Sequence, residues 1–187
     1  LLRRPIIPKS LIMVSRFVAS KDQETLIRAM KLVDAGSVLR LVGDGENLEY
    51  CKTIAEEVGV SDRVEFLGER SDIAELIAES CVGVQSSNWE GFGLTAVEIM
   101  AAGKPIIASD VEGLRQVVEG AGIIFNRGNV EELANRISHL APICDASWHV
   151  PRYNNIVVRL YRIPTTGDAS KAWSLGANDT TTNANAT

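Results

Sequence analysis

Between residues 11 and 140 short apolar runs alternate with amphipathic helical stretches, and this alternation restricts the fold more tightly than any other feature. It is the pattern of βαβ units, which build a parallel sheet covered by helices on both faces. The strand runs are LIMVSRF at 11–17, VLRLVG at 38–43, RVEFLG at 63–68, CVGVQSS at 81–87, KPIIAS at 104–109 and AGIIF at 121–125. Their near-continuous hydrophobicity suits strands buried on both sides. Apolar residues recur at helical spacing in 22–33 (Leu26, Ile27, Met30, Val33), 46–58 (Leu48, Cys51, Ile54, Ala55, Val58) and 72–79 (Ile73, Leu76, Ile77). Asp22 and Ser71 stand at N-cap positions, and Gly36, Gly59, Gly103 and Gly120 follow the helical patterns as stops. The expected fold is α/β: a doubly wound, Rossmann-like parallel sheet of about six strands with helices on both faces, over residues 1–140.

After Leu140 the alternation fails. Residues 141–164 form a poorly defined extension in which 147–162, SWHVPRYNNIVVRLYR, hold at most one more helix or strand, with Pro151 limiting its start. Residues 165–187 turn to Thr, Asn, Ala and Gly, the composition of a disordered tail. Asn178 and Asn185 each begin an N-x-T sequon, expected to stay unmodified.

The 187 residues suffice for one core of ordinary size, and 24 acidic against 19 basic residues leave a net charge of −5. That balance excludes the global basic field of a nucleic-acid binder, so an anionic ligand needs a local cationic pocket. Cys51, Cys81 and Cys144 are odd in number and form no CxxC pair, which reads as reduced thiols in a cytoplasmic compartment. His139 and His149 are too few and too scattered for a metal centre, and no metal or other cofactor is expected. The chain carries neither a signal-peptide pattern nor an apolar run of about 18 residues, so neither export by that route nor a membrane span is expected.

In an open parallel sheet, ligands sit beyond the carboxyl ends of the strands. The loops there read SRFVASKD, VGDGEN, LGERSD, QSSNWEGFG and SDVEGLR. In the fourth, Gly91 and Gly93 flank Phe92 at a helix start, where open N–H groups and the helix dipole favour an anion. Arg16 and Lys21 on the first loop offer countercharges, a combination that suits a diphosphate. The fingerprints G-x-G-x-x-G after the first strand and G-x-x-x-x-G-K-[ST] anywhere are missing, which argues against a classical NAD enzyme or a P-loop nucleotidase. GDG at 43–45 alone is a weak signal and reads first as a plain turn.

Two acids border the helix start. Glu98 shares a helical face with Leu94, Thr95, Ala101 and Ala102, and Glu90 lies in the preceding loop. Burying a carboxylate without a partner is costly, so a buried Glu98 needs either an internal Arg or Lys or the hydroxyls of a ligand. A ribose or sugar supplies adjacent hydroxyls. Glu90 is then either a solvated loop residue or a second polyol contact.

At this point the residues resemble a known family. Glu90-Gly-Phe-Gly-Leu-x3-Glu98 is similar to the E-x7-E signature of retaining glycosyltransferases of the GT-B fold, specifically glycosyltransferase family four. VSRFVASKDQETLIRAM, LRLVGDGEN, VEFLGERSDI, AAGKPIIASDVEGL and GAGIIF agree in order and spacing, so the resemblance covers residues 9–140. It implies the C-terminal, donor-binding domain of such an enzyme, working without a metal. Arg16 and Lys21 would clamp the donor diphosphate together with the N–H groups of Phe92, Gly93 and Leu94. Glu98 would hold the ribose and Glu90 the transferred sugar, which counts Arg16, Lys21 and Glu90 as the catalytic set. The loop Leu67-Gly68-Glu69-Arg70 would lie against the base, and Gly43 near the cleft.

Ser15 departs from the family's usual Gly, and Glu112-Gly113-Leu114-Arg115-Gln116 departs from its G-G-x-x-E pattern, so no role passes to that loop. The first strand matches the start of the C-terminal domain, so the N-terminal, acceptor-binding half is expected in the same or another chain. Three functions fit. One is a glycosyltransferase taking a sugar from a UDP-, GDP- or ADP-sugar to a sugar or glycan acceptor with retention, cytoplasmic or peripheral to the membrane. The others are a non-catalytic nucleotide-sugar binding module, and a GT-B phosphorylase or epimerase relative.

Overall fold

The computed structural model describes residues 5–140, and the expected extension at 141–164, the tail, Cys144, His149 and both sequons lie outside them. Among the described residues six strands are present: β1 Ser10–Val14, β2 Val38–Val42, β3 Val64–Phe66, β4 Val82–Gln85, β5 Ile106–Ser109 and β6 Ile123–Phe125. All pair in parallel, in the order β3-β2-β1-β4-β5-β6. Among the described residues the six α-helices are α1 Gln23–Ala29, α2 Leu48–Val58, α3 Ile73–Glu79, α4 Leu94–Ala101, α5 Glu112–Val118 and α6 Val130–Leu140. This is the doubly wound architecture expected from the alternation.

Side-chain alternation along the strands divides the core in two. Leu11, Met13, Leu39, Leu41, Val82 and Val84 pack with α1, α2 and α6, through Leu26, Ile54 and Ile137 among others. Ile12, Val42, Ile106 and Ala108 pack with α3, α4 and α5, through Leu76, Ile99 and Leu114. Strands β1, β2, β5 and β6 therefore feed both layers, which is why their runs are nearly continuous in apolar residues, whereas the edge strand β3 leaves Glu65 exposed.

Several local expectations need correction. Helix α1 stops at Ala29, not at Val33: Lys31 N and Leu32 N turn back to Arg28 O and Ala29 O at three-residue spacing, and Arg63 donates to the freed carbonyls of Met30 at 2.7 Å and Asp34 at 3.0 Å. Gly36 therefore caps nothing; its N–H donates to the Asp34 carboxylate in a turn. The N-cap of α3 is Asp72, not Ser71. Asp22 does cap α1, accepting from Thr25 N at 3.1 Å, and Gly59 closes α2 in the left-handed conformation.

Candidate functional site

The strand order reverses between β1 and β4, so the loops after these two strands open side by side at the carboxyl edge. They are stitched together by backbone. Asp22 N donates to Ser86 O at 3.0 Å, and Asn88 N and Trp89 N donate to Ser20 O at 2.9 and 3.0 Å. Lys21 and Ser87 form an isolated antiparallel bridge. Sixty-nine residues apart in sequence, Lys21 and Glu90 meet as an ion pair and hydrogen bond, their side chains only 16% and 18% exposed.

Arg16 projects from the same first loop, exposed, with no ion-pair partner among the described residues. The loop beneath it is held by buried Gln23, whose amide donates to Ser15 Oγ at 3.1 Å and to Arg16 O at 2.9 Å. Gly43 serves the same loop from the other side. A Cβ on it would lie 2.1 Å from Ser15 O, and its N–H donates to Gly68 O at 2.8 Å. Its position thus has a packing reason, with the second and third loops drawn against the first.

Helix α4 begins at Leu94, two residues later than Phe92, with Gly93 as a left-handed N-cap and no side-chain cap. Among the described residues the N–H groups of Phe92, Gly93 and Leu94 have no acceptor, so the start of α4 presents a cluster of donors at the positive end of its dipole. Phe92 and Leu94 themselves are exposed.

Glu98 differs from expectation. It is exposed, because α4 turns Ala96 and Ile99 onto the sheet and leaves Leu94, Val97, Glu98 and Ala101 outward. Its presence in an apolar helix therefore reflects a solvent-facing stripe and involves no burial penalty. In the third loop Leu67 and Gly68 are half-buried, whereas Glu69 and Arg70 are exposed. Both guanidinium contacts of Arg70 to the Asp72 carboxylate are 2.8 Å, and that pairing raises the Arg70 pKa further above its ordinary value.

The sequence reading missed the contribution of the β5–α5 connection. Ser109, fully buried, accepts from Ser87 N and donates to Ser87 O, each at 2.9 Å. A Cβ on Gly113 would stand 2.2 Å from Glu90 O. The signals were a serine ending an apolar strand and a glycine in the first turn of a helix, both too common to single out. A surface hollow of about 410 Å³ lies elsewhere, lined by Arg28, Lys31, Leu32, Glu57, Val58 and Val130, and none of the expected site residues lines it.

Residues 5–141 match the family model described as Glycosyl transferases group 1. The chain belongs to that family. Among curated relatives, it is 35% identical over 136 residues to the N-acetyl-alpha-D-glucosaminyl L-malate synthase of Bacillus anthracis, covering 71% of this chain and 36% of that protein. It is 33% identical over 129 residues to the lipopolysaccharide core biosynthesis glycosyltransferase LpsE of Rhizobium meliloti, covering 68% of this chain and 38% of that one. The chain thus spans little more than a third of the length of these relatives. HepE of Anabaena, solved with UDP and glucose, superposes with a TM-score of 0.67 at 33% identity, over 71% of this chain and 38% of that chain. TarM of S. aureus superposes at 0.70 with 23% identity, over 74% of this chain and 29% of that chain, a likeness of fold alone. The described residues correspond to the C-terminal, Rossmann-like domain of the GT-B fold. Among them, no helix is long and apolar enough to cross a membrane.

Proposed function

We propose that this domain binds the nucleotide-sugar donor of a retaining glycosyltransferase. The observation that carries the reading is the meeting of Lys21, Glu90 and the uncapped start of α4 at the strand-order reversal. A diphosphate would take the N–H groups of Phe92, Gly93 and Leu94, the Lys21 ammonium and the Arg16 guanidinium, all donors suited to an anion. The transferred sugar would then lie at Glu90, which accepts hydroxyl hydrogen bonds through both oxygens. Glu98, one turn into α4, is free to take the ribose hydroxyls because it is exposed. The loop from Leu67 to Arg70, together with Gly43, would border the base.

As the bond between sugar and diphosphate breaks, charge gathers on the leaving phosphate. Lys21, Arg16 and the α4 start stabilise it in place, and no metal is required of this chain. Glu90 orients the sugar and is not a general base. The acceptor site belongs to an N-terminal GT-B half, in the same or another chain. The solved relative holding UDP and glucose supports a nucleotide-sugar as ligand. A non-catalytic binding module would use the same contacts, and transfer of a labelled sugar once an N-terminal half is supplied separates the two.

Titration calorimetry of the chain with UDP, GDP and ADP tests the clamp. One of the three should bind, and Lys21→Ala should weaken it by about tenfold or more, the worth of one charge-assisted contact. No affinity for any, or affinity indifferent to Lys21, would refute the assignment.

A further inference from the structure

We propose that Gly113 and Ser109 are positioning residues for Glu90, and that the β5–α5 connection is the mould against which the carboxylate loop takes its shape. The inference rests on the nucleotide-sugar reading of the site and names the residues that set where its sugar is held.

Three contacts carry it. Regular pairing of β4 with β5 ends at Gln85 and Ala108, so the chain beyond has no ladder to hold it. Ser109 takes over with one hydroxyl, accepting from the N–H of Ser87 and donating to the carbonyl of the same residue, both at 2.9 Å. A hydroxyl is the smallest side chain that can do both, and here it is fully buried, without competing water. Four residues on, the backbone of Gly113 lies against the Glu90–Gly91 peptide, where a Cβ would be 2.2 Å from Glu90 O and 2.8 Å from Gly91 C. Any side chain at 113 must push that peptide away. Next, Leu114 Cδ2 lies 2.7 Å from where a Cβ of Gly93 would stand.

Residues 87, 90–91 and 93 are thus supported from one side by 109, 113 and 114. From the other side Ser20 O holds Asn88 N and Trp89 N, and the Lys21 ammonium holds the Glu90 carboxylate. A shift of the mould moves the Glu90 carboxylate relative to the start of α4, which holds the phosphates. It changes the sugar contact more than the diphosphate contact.

The test measures the dissociation constants of a nucleoside diphosphate and of its sugar conjugate by calorimetry, using UDP with UDP-glucose, GDP with GDP-mannose and ADP with ADP-glucose. Their ratio isolates the sugar. Gly113→Ala is expected to shift the ratio against the sugar form by about fivefold or more, Ser109→Ala in the same direction, and neither further in a Glu90→Gln background. Gly122→Ala is the matched control. Its Cβ would stand 2.7 Å from Ile106 O at the opposite end of β5, so it should lower the melting temperature and leave the ratio alone. A wild-type ratio in folded Gly113→Ala, or a shift that persists without the Glu90 carboxylate, overturns the proposal. If Gly113→Ala does not fold, Ser109→Ala decides by the same cycle. A wild-type chain that binds none of the nucleotides, or Glu90→Gln with the wild-type ratio, marks instead the failure of the site reading, and the inference falls with it.

Discussion

Replacing Glu90 with Gln should loosen the fold slightly and yet tighten the grip on a free nucleoside diphosphate. In the unliganded site the carboxylate is paired with Lys21, and both side chains are more than four-fifths buried. The pair therefore stands between an exposed bridge, worth about 0.2–1 kcal/mol, and a buried one whose breaking costs about 3–5 kcal/mol. Gln keeps an acceptor for the ammonium, so the stability loss should be about 1 kcal/mol. A diphosphate beside Lys21 meets the negative charge of Glu90 as well. A unit charge about 5 Å away at an effective dielectric of about 20 is worth roughly 3 kcal/mol, and salt and solvent reduce this to about 1–2 kcal/mol. Removing it should tighten diphosphate binding by about five- to thirtyfold, while Lys21→Met, which preserves the stem, weakens it. Calorimetry with the preferred nucleotide, beside urea unfolding of each variant, gives both quantities. Equal or weaker diphosphate binding by folded Glu90→Gln would refute the claim that the two charges share the phosphate region.

Other expectations concern the scaffold. Gly43→Ala places a Cβ 2.1 Å from Ser15 O at a φ of +130°, so urea unfolding should register a loss of about 3 kcal/mol or more. Gly59→Ala, where nothing lies within 4 Å and only the left-handed backbone resists, should lose about 1 kcal/mol. Asp22→Ala removes the side-chain cap of α1 and should lower stability by about 1 kcal/mol in the same assay. Burial pushes the Cys51 thiol from 9.0 up to about 11. The folded chain thus keeps a proton that the unfolded chain releases: the contribution is complete below about pH 9 and is lost as pH rises toward 11. Comparison with Cys51→Ala across that window should reveal a pH-dependent difference of up to about 2 kcal/mol; a parallel pair of curves would contradict the burial.

The architecture was largely legible because each strand and helix announces itself locally. Runs such as VLRLVG and KPIIAS are apolar on both faces, which only a doubly covered parallel sheet accommodates, and Asp22 and Gly59 mark helix ends through contacts within a few residues. Even the open helix start at GFGL, with no side chain capping it, could be read from its glycines. Where the sequence reading erred, the deciding contact was distant. Past Ala29 helix α1 gives way to turns, and the carbonyl of Met30 is taken by Arg63, 33 residues further on. Glu98 looked buried because α4 is apolar nearly all round, and only its packing on the sheet decided that Ala96 and Ile99 face inward.

What the sequence by itself determined, then, is the set of elements, their parallel arrangement and the chemical types gathered at the carboxyl edge. Only the tertiary structure decided which of those residues touch. The strand order brings the first and fourth loops together, so that Lys21 pairs with Glu90 and the β5–α5 connection backs the loop that carries the acid. The physical reason is range. Periodicity and capping act over three or four residues, whereas a pair 69 residues apart exists only once every intervening crossover has packed.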